Sequence, residues 1–226
     1  LTTLKKQTEE RKKKIKGKLN INKGNLTKIK TALINKPQII SVSRRTDIPA
    51  VYSEWFFNRI KKGFALYKAH VSTFPKSVSL IPEDVLCFVF WTKNPGPMMD
   101  KLHLLDKQGY KYYFQVTLNP YGPDIQRNLP PKDELVETFI ALSKKIGKKR
   151  VIWRYDPILL TDEIDIEYHK KHFADLAKKL HNHTERCVIS FVDAHQISQA
   201  NGKPLKLNKI DPLSKELQIA TMKELA

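Results

Sequence analysis

The sequence predicts an α/β protein whose parallel strands form a partial or full (β/α) barrel of the TIM-barrel type. Apolar runs typical of strands recur along the 226 residues, and helical patterns separate most of them. Strand, helix and strand in succession imply a parallel sheet with right-handed crossovers. Several runs also carry polar residues at every second position. This favours a barrel lumen, because a sheet with helices on both faces is apolar on both sides.

Six runs rich in β-branched and aromatic residues are the predicted strands. They span residues 38–43, 64–70, 86–91, 111–118, 150–155 and 187–193. In the fourth run and just after it, Gln115, Thr117 and Asn119 fall on one face, opposite apolar neighbours. At the end of the fifth run, Arg154 and Asp156 share a face in the same way.

Helical patterns lie between most of these strands. They span residues 53–62, 97–107, 131–146, 164–181 and 212 onward. Gly63, Gly109 and Gly147 stand where three of the helices are expected to end, because glycine tolerates the left-handed conformation found there. Residues 71–84 show turn and extended character without a helix, so this unit is the weakest of the six.

The positive charge is concentrated near the N-terminus. Residues 1–37 hold twelve lysines and arginines against two glutamates, a net charge of +10 out of +18 for the whole chain. This basic extension is expected to be poorly ordered or helical. The barrel-like domain is expected to span residues 38–226 and to be truncated at its C-terminus. A basic arm binds phosphates by releasing counterions, so nucleic acid is a candidate partner.

Several classes of protein find no support in the composition. No apolar run approaches a membrane span and no export signal is seen, so a cytoplasmic protein without a membrane partner is expected. The cysteines, Cys87 and Cys187, lie a hundred residues apart in apolar runs, without disulfide or metal spacing. We expect both to be buried thiols. Neither of the two glycine-rich phosphate-binding patterns occurs.

Polar residues follow most of the predicted strands. The carboxyl ends of parallel strands meet at one edge of a barrel, and this edge is where barrels bind ligands. The predicted ligand-binding residues are Arg44, Arg45, Asp47, Lys93, Asn94, Gln115, Thr117, Asn119, Arg154, Asp156 and Asp193. They predict a site for a small molecule in the barrel mouth. The alternative is structural, in which the arginines pair with the aspartates only to close the top of the barrel.

Other aromatic residues and histidines are expected to be structural. The residues expected in the core are Trp55, Phe56, Phe57, Trp91 and Trp153. The histidines expected on helix surfaces are His169, His172, His181 and His183, because no acid or cysteine supports a ligand spacing around them.

Five ordered blocks carry a family resemblance. They are IISVSRRTDIPAVYSEWFFNRI, VFWTKNPGPM, YYFQVTLNPYGPDIQRNLPPKDELVETF, RVIWRYDPILLTD and TERCVISFVD. Together they resemble the family catalogued as domain of unknown function 1848, from about residue 38 to residue 200 or beyond.

The resemblance implies radical chemistry. Full-length members resemble radical S-adenosylmethionine enzymes, with a cysteine motif like CxxxCxxC after the barrel. S-adenosylmethionine and a [4Fe–4S] cluster are therefore the cofactors implied for the family. The two cysteines here cannot supply the three thiolates of such a cluster. We expect this chain to be the barrel portion of such an enzyme, inactive alone.

The resemblance also assigns expected contacts to adenosylmethionine. Its carboxylate suits a bidentate arginine, its ribose hydroxyls suit carboxylate or amide groups, and its amino group suits an aspartate. For the carboxylate these are Arg44, Arg45 or Arg154. For the ribose hydroxyls they are Asp156, Asn119 or Gln115, and for the amino group they are Asp47 or Asp193.

Three other hypotheses stay open from the sequence. In the first hypothesis, the chain is a nucleic-acid-binding module that uses the basic extension together with the arginines and lysines at the strand ends. Alternatively, it is a metal-free barrel enzyme that holds a phosphorylated or carboxylated small molecule. The last hypothesis is an incomplete fragment with an unprotected sheet edge.

Overall fold

The structure is a computed structural model that describes residues 37–43, 45–68, 74–161 and 163–192, together with residues 220 and 223. The predicted helix from residue 212 onward lies outside the described residues apart from residues 220 and 223. The basic extension lies outside them apart from Pro37. The predicted site residues Arg44 and Asp193 also lie outside.

Five parallel strands form the main sheet. They are β1 (Gln38–Ser41), β4 (Val85–Thr92), β5 (Tyr112–Thr117), β6 (Val151–Ile158) and β7 (Cys187–Phe191), and they lie side by side in that order. All four pairings are parallel. The sheet curls into a half-barrel, which confirms the prediction of a partial parallel barrel.

The second predicted strand is not part of this sheet. Strand β2 (Phe64–Tyr67) pairs antiparallel with β3 (Lys76–Ser79) as a separate two-stranded sheet. A parallel return needs a crossover of a dozen or more residues, usually a helix. Only residues 68–75 separate β2 from β3, too few for such a crossover, and the two strands pair antiparallel instead. Strand β4 lies beside β1 instead. The prediction of six parallel strands was therefore wrong, because the main sheet has five.

Six α-helices are described. They are α1 (Ile48–Val51), α2 (Ser53–Lys62), α3 (Gly96–Met99), α4 (Leu102–Asp106), α5 (Lys132–Ile146) and α6 (Ile166–Leu180). Helix α2 ends at Gly63, which has a φ of 79° and so takes the left-handed conformation that glycine allows. The helix predicted over 97–107 is split, because the N–H of Lys101 bonds back to Met98 in a tighter turn. None of the described helices is long and apolar enough to cross a membrane.

The hydrophobic core lies between the sheet and the helices. Alternate residues of the central strands, such as Phe90 and Phe114, are fully buried against Phe139 of α5 and other helix side chains. The rings of Phe90 and Phe114 stack with centroids 4.7 Å apart. The predictions for Phe56, Phe57 and Trp153 are confirmed. Those for Trp55 and Trp91 were wrong, since 43% and 37% of their surfaces are exposed.

His169 is fully buried, so its predicted place on a helix surface was wrong. It lies on the face of α6 that also carries Leu176 and Leu180. Its Nε2 lies 2.9 Å from the carbonyl oxygen of Leu159 and its Nδ1 lies 2.8 Å from the Tyr155 hydroxyl. Because a carbonyl only accepts, Nε2 carries the proton and Nδ1 accepts from Tyr155. Burial of the ring lowers the pKa of His169 below its ordinary value of 6.5.

We expect the cost of replacing His169 to depend on pH. In the unfolded chain the imidazole of His169 takes up a proton near pH 6.5, whereas in the folded chain it does so only at lower pH. Stability is therefore lost as the pH falls below about 6.5. The His169→Phe variant orphans two polar groups, a cost of about 1–3 kcal/mol at pH 8. The variant has no imidazole at this position, so it does not lose stability through protonation below about pH 6.5 as the original protein does. The difference in the free energy of unfolding between the two proteins is therefore smaller at pH 5.5 than at pH 8.

Urea unfolding of both proteins at the two pH values measures this difference. His181→Phe, on an exposed histidine, is the matched control. An equal cost for His169→Phe at pH 8 and pH 5.5 would show that the buried ring does not resist protonation.

Candidate functional site

The helices that the structure describes leave one face of the sheet uncovered. This concave face carries the alternate positions of the central strands, and the register places Trp91 beside Gln115 and Thr117 beside Arg154. The predicted alternation in these strands is confirmed, since their other positions are buried in the core. Polar side chains on the concave face therefore lie next to one another near the carboxyl edge of the sheet.

An ion pair between Arg154 and Asp156 forms the centre of this group. The Nε of Arg154 donates to Oδ2 of Asp156 at 2.9 Å, and a second guanidinium nitrogen donates to the same oxygen. The third nitrogen donates to Oε1 of Gln115 at 2.9 Å. Ser190 donates to the other oxygen of Asp156. The two charged side chains are 13% and 19% exposed, so these bonds offset most of the cost of removing them from water.

Trp91 covers the guanidinium of Arg154. The central carbon of that group lies 4.5 Å from the centroid of the Trp91 ring, a cation–π contact. Each of the three guanidinium nitrogens also has a hydrogen bond within the protein. Arg154 is thus held in one orientation, and three of its five N–H donors are used within the protein.

Asn119 joins strand β6 to the chain that leaves β5. Its side-chain amide donates to the backbone oxygen of Asp156 and accepts from the Asp156 N–H, both at 2.9 Å. The Tyr121 hydroxyl makes a similar bridge, since it donates to the Pro157 oxygen at 2.7 Å and accepts from the Leu159 N–H at 2.8 Å. Asn119 is 1% exposed. It therefore acts here as a positioning residue for Asp156.

Asp47 and Lys93 form a second group at the same edge. One oxygen of Asp47 accepts from the Ala50 N–H at 3.1 Å and caps helix α1. The other accepts from the Lys93 N–H at 2.7 Å. Asn94 is used locally, because its Oδ1 accepts from the Gly96 N–H at 3.0 Å. The Lys93 backbone is held in place and its side chain extends into solvent.

Lys132 is a site residue that the sequence analysis missed. It is the first residue of α5, it is partly buried, and its Nζ donates to Oε1 of Gln126 at 3.3 Å. Burial lowers its pKa, and the nearby charge of Lys93 lowers it further. No carboxylate among the described residues forms a salt bridge with either lysine. A lysine in the first turn was a usable signal, because helix N-termini favour acids.

The remaining predicted residues take no part in these groups. Arg45 is exposed, and no contact of its side chain is recorded among the described residues. Thr117 lies on the concave face beside Arg154 without a hydrogen bond of its own to the group. Trp91 and Ser190 join the ion-pair group although neither was predicted to. Tryptophan carries no polar signal at a strand end, and Ser190 lies within the apolar run of the last strand.

The described residues do not fit an iron–sulfur cluster. Cys87 lies near the start of β4 and Cys187 at the start of β7, with two strands between them. Three strand spacings amount to about 14 Å, too far for a shared cluster. Burial raises the pKa of both thiols, that of Cys187 to about 12. No group of three or more metal-ligating residues occurs in the part of the chain that the structure describes.

The fold and the site define an α/β half-barrel with a polar carboxyl edge. The model of the domain of unknown function DUF1848 matches residues 39–226, and the chain belongs to this family. No curated protein and no solved structure matches the chain significantly.

Breaking the central ion pair is expected to destabilise the fold. Arg154→Leu leaves the Asp156 charge largely buried and should lower the free energy of unfolding by about 2–4 kcal/mol. Adding Asp156→Asn removes the orphaned charge and should recover about 1 kcal/mol or more. Chemical denaturation of the single and double variants measures both effects.

A matched control is Lys179→Leu, which breaks the exposed pair with Asp133 and should cost at most about 1 kcal/mol. If Arg154→Leu costs no more than this control, the ion pair does not hold the carboxyl edge together.

Proposed function

We propose that this chain is the ligand-binding barrel portion of an enzyme that takes an anionic small molecule at the carboxyl edge of the half-barrel. The observation that carries the proposal is Lys132, a partly buried ammonium beside Lys93 without a carboxylate partner among the described residues. Burying a charge is costly unless it is paired, and a bound carboxylate or phosphate supplies the missing pair.

The surroundings of the two lysines support an anion at this position. Asp47 fixes the backbone of Lys93, and helix α5 fixes that of Lys132. Because the backbones are already fixed, ligand binding orders only the two side chains and not the chain that carries them. The N-terminus of α5 adds a partial positive charge from the helix dipole. The carboxyl edge is also where barrels bind their substrates.

We infer further that the enzyme is of the radical S-adenosylmethionine type, as the resemblance of the family implies. Because Arg154 is committed to Asp156 and Gln115, the carboxylate of adenosylmethionine is best matched by Lys93, Lys132 and the exposed Arg45. The [4Fe–4S] cluster does not fit the described residues, so the contribution derived for this chain is ligand binding. The metal-free alternative uses the same lysines for a phosphorylated or carboxylated ligand.

Calorimetric titration of the full chain with S-adenosylmethionine, and separately with inorganic phosphate, tests the proposal. Binding of either ligand should weaken by about 10- to 100-fold in Lys132→Gln, because one charge-assisted contact is lost. Lys171→Gln, an exposed lysine on α6, is the control and should bind like the original chain. The pKa of Lys132, followed by NMR on the labelled side chain, should rise when the ligand binds.

The outcomes separate the two forms of the proposal. Binding of adenosylmethionine that depends on Lys132 supports the radical enzyme. Binding of phosphate alone supports the metal-free alternative. Binding of neither, or binding that Lys132→Gln leaves unchanged, overturns the anion site.

A further inference from the structure

A cleft lies at the amino ends of the strands, opposite the candidate site. It has a volume of about 710 Å³ and opens at the amino ends of β5, β6 and β7. Its lining residues are Cys87, Tyr110, Lys111, Tyr112, Tyr113, Lys148, Lys149, Arg150, Val151, Ile152, Glu185 and Arg186. Five of these residues are basic and one is acidic, so we call it the basic cleft.

Two of its five cations have partners inside the protein. Lys148 lies 3.6 Å from a carboxylate oxygen of Glu185. Arg150 lies 3.9 Å from a carboxylate oxygen of Asp106, and its guanidinium also packs over the ring of Tyr112 at 5.0 Å. Each of these two cations therefore has a carboxylate partner, in an exposed and weak ion pair.

The other three cations are exposed and unpaired. Lys111, Lys149 and Arg186 form no salt bridge with any carboxylate that the structure describes. Lys111 and Arg186 directly precede β5 and β7, and Lys149 lies in the turn that leads into β6, the strand between them. The topology thus brings three positive charges without a described salt-bridge partner to the amino ends of three neighbouring strands, and the strands themselves lie about 5 Å apart.

The cleft continues onto the uncovered concave face. Tyr113 and Ile152 line it and are both partly exposed, and Trp91 lies one position further along that face. An accessible aromatic ring, here that of Tyr113, near cations that lack a described salt-bridge partner is a combination with which proteins bind single-stranded nucleic acid. The cations hold the phosphates and the rings stack on the bases.

We propose that the basic cleft binds single-stranded nucleic acid, with phosphates on Lys111, Lys149 and Arg186 and a base against Tyr113. A single strand fits better than a duplex, because duplex bases are already stacked on each other and cannot reach Tyr113. The site is separate from the carboxyl edge and does not require the anion site formed by Lys93 and Lys132. The overall charge of +18 favours the approach of a polyanion.

Fluorescence anisotropy of a labelled 20-nucleotide oligothymidylate, with the full chain, tests the proposal. The cleft variant carries Lys111→Glu, Lys149→Glu and Arg186→Glu. The control variant carries Lys61→Glu, Lys62→Glu and Lys171→Glu, three exposed lysines outside the cleft. Both variants change the net charge equally and keep the basic extension. The cleft variant should bind the oligonucleotide at least about 10-fold more weakly than the original chain does. The magnitude of the slope of log affinity against log salt should fall by about 2.

A second variant tests the role of the aromatic ring. Tyr113→Leu should weaken oligothymidylate binding by about 5- to 100-fold, as expected for one lost stacking contact, and should leave binding of inorganic polyphosphate unchanged. Circular dichroism and thermal melting confirm that each variant is folded.

Two results would overturn the proposal. Equal losses in the cleft and control variants would place the binding in diffuse charge or in the basic extension. Duplex binding as tight as single-strand binding, with no effect of Tyr113→Leu, would show that the cleft attracts polyanions without contacting bases.

Discussion

The aromatic layer beneath the sheet is the interaction on which both faces of the half-barrel depend. Phe90 and Phe114 stack at 4.7 Å and are fully buried, which fixes β4 and β5 with these residues toward the helices. Side chains alternate along a strand, so a slip of one residue would turn the polar residues into the core. The same packing therefore determines that Trp91 and Gln115 lie together on the concave face.

The polar groups near the carboxyl edge are of two kinds, those that bond to each other and those whose charge has no described partner. Arg154 and Asp156 bond to each other and to the side chains of Gln115 and Ser190, and Asn119 bonds to the backbone of Asp156. Such a network holds these side chains in place. Lys93 and Lys132 are held in place by other groups, and their own ammonium charges are not paired with any described carboxylate. The anion site that we propose is therefore formed by the lysines and not by the arginine at the centre of the group.

The two ends of the strands have different chemistry for a topological reason. All five strands run in the same direction, so the loops that precede them gather at one edge and the loops that follow them gather at the other. The edge after the strands carries a mixture of cations, amides and carboxylates suited to a small ligand. The edge before them carries three cations that have no salt-bridge partner among the described residues and lie near Tyr113, the arrangement from which we propose polyanion binding.

By itself, the sequence determined the strand and helix pattern, the parallel class of the sheet and the polar face of β5 and β6. These features depend on local periodicity, which a single segment carries. It could not show that β2 leaves the main sheet or that His169 is buried, and for Lys132 it carried only the signal of a lysine in the first turn of a helix. Only the tertiary structure decided which polar groups neutralise each other. The bonds of Arg154 to Gln115 and of Lys93 to Asp47 join residues 39 and 46 positions apart, and no local pattern records such a contact.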